Sequence, residues 1–154
     1  ILGASDSSRL KQRLKTVDPK TKQAIAGEAG MDVILREDPG MVIAFGAYND
    51  AAQADAIEAA IFDEVGKLAA KGPTRDELRR AKNQVQAGFV FSIESAQGLG
   101  EAIGRSWIFT GDPSSFLRDV DEAEKISAAD VQRVIKQYMS TDHATVVVFP
   151  QRAR

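Results

Sequence analysis

Gly72-Pro73 closes one long helical pattern and Thr74-Arg75-Asp76-Glu77 opens another at once, so any fold of this chain must turn a corner between two helices there. Glycine ends a helix readily and the following proline blocks its continuation. The Thr and Glu, three residues apart, form a capping box in which each side chain satisfies a free backbone N–H. Before the corner, Ala51 to Lys71 places Ile57, Ile61, Val65 and Leu68 on one stripe. After it, a helix carries Leu78, Ala81, Val85 and Phe89, with a break or bend expected at Ser92 to Ser95. A further helix presents Leu99, Ile103 and Trp107 as a core-packing stripe before Gly111-Asp112-Pro113 stops it.

The remaining segments supply the sheet. Ser7 to about Thr16 reads as a helix with Leu10 and Leu14 one turn apart, broken by Asp18-Pro19. Gln23 to Leu35 is a weak strand, loosened by Gly27 and Gly30, and Asp38-Pro39-Gly40 is turn chemistry. Met41 to Tyr48 is a better strand, with Met41, Ile43 and Phe45 on one face and Val42, Ala44 and Tyr48 on the other. The two predict an antiparallel hairpin. A short helix over Ser114 to Lys125 follows, then one begun by Ser127-Ala128-Ala129-Asp130 with Val131, Val134, Ile135 and Tyr138 as its apolar positions. Ala144 to Phe149 is a β-branched run of the kind expected in a strand buried on both faces. This order predicts an α+β fold, with helices packed on one face of a mostly antiparallel sheet.

At 154 residues the chain fits a single domain over 1–154, or a large part of one. No apolar stretch approaches the roughly 20 residues that span a bilayer. Ile1-Leu2-Gly3 runs directly into polar residues, without a signal-peptide pattern and without an initiator Met, so further chain is expected upstream. The net charge of -2 and the absence of a nucleic-acid-binding motif argue against a DNA or RNA partner. The chain has no cysteine, which removes disulfides, thiolate nucleophiles and Cys-based metal sites together.

Other chemistry is scarce. His143 is the only histidine and lies in the polar stretch Ser140-Thr141-Asp142-His143; a metal role would need carboxylates from elsewhere, and a polar loop residue is the default. The carboxylate pairs Asp63 with Glu64 and Asp119 with Glu122 fall on amphipathic helices and read as solvated faces. A serine hydrolase would need His143 as base, and no G-x-S-x-G elbow accompanies it. Gly98, Gly100 and Gly104 lie inside a helical pattern, the wrong context for a phosphate loop, and read as sites of close helix packing. The basic group Arg9, Arg13, Lys15, Lys20 and Lys22 reads as a solvated face, with a binding role as the alternative.

Four stretches, in order, resemble the second, non-catalytic domain of the pitrilysin/insulinase-type zinc peptidases, whose fold is shared with mitochondrial processing peptidase. Ile1-Leu2-Gly3 followed by Ser8-Arg9-Leu10 is similar to the family's "LG…SRL" helix start. The run from Gly72-Pro73-Thr74 through Glu77-Leu78 to Ala81-Lys82-Asn83-Gln84 resembles its "gpTxeELxrAKnq" segment. Gly111-Asp112-Pro113 resembles the loop after its long helical pair. Ile126 to Val131, then Tyr138 and Thr145 to Pro150, are similar to its terminal unit.

The resemblance implies a mitochondrial processing peptidase-like metallohydrolase fold that is N-terminally truncated, since the family's domain has another strand and helix before the Ile-Leu-Gly start. Catalytic halves of this family hold zinc with H-x-x-E-H on one helix. One histidine cannot build that site, so this chain alone is expected to be inactive and zinc is expected in a catalytic sister domain or subunit. Its implied role is to close a chamber over that half and help hold an unfolded peptide; relatives that serve as structural subunits leave a scaffold role as the alternative. Some family members contribute an arginine and a tyrosine, separated by six residues, that touch the substrate near the zinc. Those positions fall on Lys15 and Lys22, neither the family's usual residue; lysine supplies charge but no bidentate fork or phenol. Many bacterial relatives are periplasmic, which leans the expected compartment that way and leaves the cytoplasm open.

Overall fold

A computed structural model describes residues 1–17, 24–34, 40–48 and 50–149. The chain divides into two compact units, one comprising Ile1–Gly72 with the stretch from Gln132 onward, the other Pro73–Val131.

In the first unit, helix α1 (Arg9–Lys15) is followed by strands β1 (Glu28–Ile34) and β2 (Met41–Ala47) and helix α2 (Ala54–Lys71). The strands pair antiparallel, with Glu28 opposite Ala47 and Ile34 opposite Met41. The expected turn at Asp38-Pro39 and the break at Asp18-Pro19 lie outside the described residues. Leu10 and Leu14 of α1 have no exposed surface, as their one-turn spacing predicts. Leu14, Ala26, Ala29, Ile57 and Ala60 form one buried cluster, edged by Ile25, Tyr48 and Ile61. Residues from α1, β1 and α2 therefore meet on the same side of the hairpin. Any side chain at Gly46 would run into Ile57, so glycine is what lets β2 approach α2.

The opposite face of the hairpin carries Met41, Ile43 and Phe45, all exposed. The architecture is thus α+β, with helices packed on one face of an antiparallel sheet that has two strands among the described residues. Helix α2 ends at Gly72, which has φ 70°, and Arg9 Nη2 donates to the Gly72 carbonyl at 3.3 Å. Arg9 is half-buried by this bond, so it belongs to the packing of the unit and not to a solvated basic face.

The second unit contains α3 (Arg75–Ser92), α4 (Ala96–Thr110), a 3-10 turn (Ser115–Arg118) and α5 (Asp119–Lys125). The Thr74/Glu77 capping box forms as expected, and Ser95 restarts the chain after the break by accepting from the Gly98 N–H at 3.0 Å. Phe89 and Phe116 pack with ring centroids 6.1 Å apart, and the buried Ser106 hydroxyl accepts from the Phe116 N–H at 3.1 Å. Helix α6 (Ala128–Tyr138) starts at a second capping box between Ser127 and Asp130 and buries Ile135.

Three packing expectations are corrected. Leu99, Ile103 and Trp107 form the expected stripe but are exposed, because α4 turns its Ser106 side toward Phe116. Gly100 and Gly104 have open space where a side chain would go, so no helix among the described residues packs closely on them; of the three, Gly98 is the one crowded, by the Ser92 carbonyl of the preceding turn. The run Ala144 to Phe149 forms no strand among the described residues, and Val146 to Phe149 are exposed. β-Branched residues favour a pleated, half-buried setting, and without a hydrogen-bonded neighbour that preference makes no sheet. One side-chain bond tethers the run: the Tyr48 hydroxyl donates to the Phe149 carbonyl at 2.8 Å.

Candidate functional site

The outward face of the hairpin is built by alternation. Glu28, Gly30, Asp32 and Ile34 of β1 share it with Met41, Ile43, Phe45 and Ala47 of β2. Gly30 stands directly opposite Phe45, and a side chain added there would come within 2.9 Å of the Phe45 ring. The absence of a side chain at Gly30 is what lets the ring lie across β1. An open recess beside it is lined by Ala4, Lys11, Glu28, Gly30, Asp32 and Phe45.

Lys15, the last residue of α1, reaches this face. Its Nζ lies 3.6 Å from Glu28 Oε1, at the start of β1, and both side chains are largely exposed. In solvent such a pair stabilises little, which leaves the ammonium available to a carbonyl or carboxylate. The other expected contact, Lys22, lies outside the described residues, as does Lys20. Lys11 is engaged locally, with Nζ 3.3 Å from Asp6 Oδ1. The surface thus joins an apolar strip, a cation at its end and two carboxylates, Glu28 and Asp32, the latter accepting from the Val33 N–H at 2.8 Å. Such a surface can hold an extended polar-and-apolar chain.

The carboxylate pairs divide. Asp119 and Glu122 are solvent-exposed as expected, with Glu122 2.6 Å from Lys125 Nζ. Glu64 corrects the expectation of a solvated face: it is buried, because it continues the Ala60-to-Leu68 line of α2. Lys67 answers it, with Nζ 2.9 Å from Glu64 and 2.6 Å from Asp63. The hydrogen bonds it donates, to Asp63 first and Glu64 second, raise the pKa of that ammonium above its ordinary range. One cation between two carboxylates makes an ion-pair cluster, not an acid/base pair.

His143 is exposed in a 3-10 turn, Thr141–His143, with Nδ1 3.2 Å from Ser140 Oγ. Among the described residues no group of three His, Cys, Asp or Glu is placed to hold a metal ion. A single imidazole beside a hydroxyl does not fit the donor set zinc requires. Also among the described residues, no helix is long and apolar enough to cross a membrane.

Sequence reasoning missed two features here. The Phe45–Gly30 pairing depends on strand register, which a weak first strand does not announce. Glu64 could have been found, since it lies four residues from both Ala60 and Leu68.

Comparison with known proteins gives the family. The model for the peptidase M16 inactive domain matches residues 1–85, more than half of the chain. The chain is 24% identical over 150 residues to the uncharacterized zinc protease YmxG of Bacillus subtilis, covering 97% of this chain and 35% of that protein. It is 29% identical over 101 residues to mitochondrial cytochrome b-c1 complex subunit 2 of Mus musculus, covering 62% of this chain and 22% of that one. The chain therefore spans about a third or less of the length of these curated relatives. The crystal structure of the inactive peptidase domain of a Bordetella parapertussis protein shares the fold, with TM-score 0.76 at 22% identity over 99% of this chain and 81% of that one. A fold with its helices on one side of the hairpin, one histidine, no cysteine and this match over its first 85 residues together place the chain in the peptidase M16 inactive domain family.

Proposed function

We propose that this chain is the non-catalytic companion of a zinc-bearing half, packing against it to close a chamber and helping to hold an unfolded peptide there. The observation that supports this most is the uncovered outer face of the hairpin: Met41, Ile43 and Phe45 in a row, with Lys15 at one end. An apolar strip beside strand edges that have no further strand among the described residues suits an extended peptide, whose backbone can add to the sheet while alternate side chains lie on the strip. Lys15 and Lys22 are the proposed substrate contacts. Zinc and the water it activates belong to the sister half, whether a domain or a subunit.

The test combines the purified chain with a sister half bearing H-x-x-E-H and measures zinc content and peptide cleavage. The expected result is one zinc per pair, none on this chain alone, and cleavage that needs both halves. Stoichiometric zinc on this chain, or chelator-sensitive cleavage by it without a partner, overturns the reading.

A second reading has its own support in the likeness to cytochrome b-c1 complex subunit 2. In that case the chain is a structural subunit with no peptidase role. A sister half that lacks H-x-x-E-H selects this reading over the first.

A further inference from the structure

The recess beside Phe45 is charged as well as apolar. Glu28, Gly30 and Asp32 are alternate residues of β1, so all three belong to the outer face. The end of the Phe45 ring lies over Gly30, the middle one, in the space a side chain there would fill. A rise of about 3.3 Å per residue sets Glu28 and Asp32 each about 7 Å along the strand from Gly30. Phe45 is 49% exposed, and Glu28 and Asp32 are exposed too. An open aromatic surface therefore lies between two carboxylates, within a side chain's length of either.

The neighbouring cations are engaged elsewhere, and unevenly. Lys11, which lines the recess, is partly buried and lies 3.3 Å from Asp6 Oδ1. Lys15 lies 3.6 Å from Glu28. Asp32 accepts from the Val33 N–H and has no cation beside it among the described residues. Two ammoniums thus stand against three carboxylates, Asp6, Glu28 and Asp32, and the uncompensated charge falls at Asp32.

A carboxylate and the electron-rich face of a ring favour the same guest, a cation. An anionic guest would be repelled by Asp32, and an apolar one would leave its charge unanswered. The recess measures about 370 Å³ and is open to solvent, which suits one long side chain better than a whole small molecule that needs enclosing walls. Arginine meets both demands at once: its planar guanidinium stacks on a ring while its N–H fork reaches a carboxylate. We propose that this recess is a subsite for an arginine side chain of the bound peptide, stacked on Phe45 and paired with Asp32. The inference rests on reading the outer face of the hairpin as a peptide surface, and it names the peptides that the surface prefers.

The test titrates the full chain with two unfolded peptides that differ at one position, arginine in one and its uncharged isostere citrulline in the other. Calorimetry is expected to give the arginine peptide about fivefold or greater affinity. Asp32→Asn keeps the shape and should bring the two peptides within about twofold of each other. Phe45→Leu should also narrow the gap. Both positions are exposed, so far-UV circular dichroism should not change, and Asp32→Asn should bind the citrulline peptide as the parent chain does. Equal affinity of the parent for both peptides, no saturable binding of either, or a preference that survives Asp32→Asn overturns the inference. Zinc-dependent cleavage by the assembled pair without any arginine preference removes the subsite and leaves the companion role standing. An arginine preference in a chain whose sister half lacks H-x-x-E-H removes that role and leaves the subsite.

Discussion

Thr74 and Glu77 each satisfy a backbone amide of the other: Thr74 Oγ1 accepts from the Glu77 N–H at 3.2 Å and Glu77 Oε2 from the Thr74 N–H at 2.8 Å. This reciprocal pair opens an 18-residue helix with no fully buried side chain, so local bonds weigh heavily in holding its start. Thr74→Ala is expected to lower stability by about 1 kcal/mol, and Glu77→Gln by less, since the amide oxygen can still accept. Urea denaturation of the two variants beside the parent measures the difference; equal losses would contradict the reciprocal reading.

Leu14 has no exposed surface and shares one buried cluster with Ala26, Ala29, Ile57 and Ala60. Its neighbours are mostly small or held by the sheet, so they close a vacancy poorly. Leu14→Ala should cost about 2–5 kcal/mol. Lys15→Ala next to it, exposed and paired with Glu28 across 3.6 Å, should cost under about 1 kcal/mol. Thermal unfolding of both variants separates these expectations.

Asp112 follows the end of α4 and accepts from the Ser114 hydroxyl at 2.7 Å, the Ser114 N–H at 2.9 Å and Arg118 Nη2 at 2.8 Å. The Ser114 hydroxyl first, then Arg118, lower its carboxyl from 3.8 to about 2. A carboxyl depressed on folding contributes stability that is complete above its unfolded value and disappears as the pH falls through its folded one. The contribution of Asp112 should therefore be constant at neutral pH and decline between about 4 and 2. An NMR titration of the Asp112 side chain should find its midpoint near 2, raised more by Ser114→Ala than by Arg118→Ala.

Lys15 provides the kinetic check on the proposed substrate surface. In an assembled pair with a zinc-bearing half, Lys15→Glu should lower kcat/KM severalfold through a raised KM, the signature of a contact that binds ground state and transition state alike. A fall in kcat at unchanged KM would place Lys15 elsewhere in the cycle.

The elements marked by local chemistry were legible from residues alone. Gly72-Pro73, the Thr74/Glu77 box, the Ser127 cap and the Leu10/Leu14 spacing all act within one or two turns, and the structure carries each of them. What escaped depends on neighbours distant in sequence. Val146 to Phe149 announce a taste for a sheet, but not whether a strand stands beside them. The Leu99-Ile103-Trp107 stripe shows that a face is made for cover, without saying what covers it. Glu64 is the exception, a local feature overlooked: it lies on the Ala60-to-Leu68 line of α2, and Lys67, three residues on, pairs with it there. Of the expected substrate contacts, Lys15 owes its position beside the hairpin to α1 packing on β1, and that packing is a tertiary fact.

The tether from Tyr48 to the Phe149 carbonyl holds a stretch of chain by a side chain, not by a ladder. Nothing among the described residues accepts from the backbone amides of residues 145–149. In deuterated solvent these amides should trade their protons almost as fast as those of an unstructured peptide, while the paired amides of β1 and β2 wait for an opening event. A slowing of that exchange when another polypeptide is added would mark the moment at which the stretch acquires a neighbour.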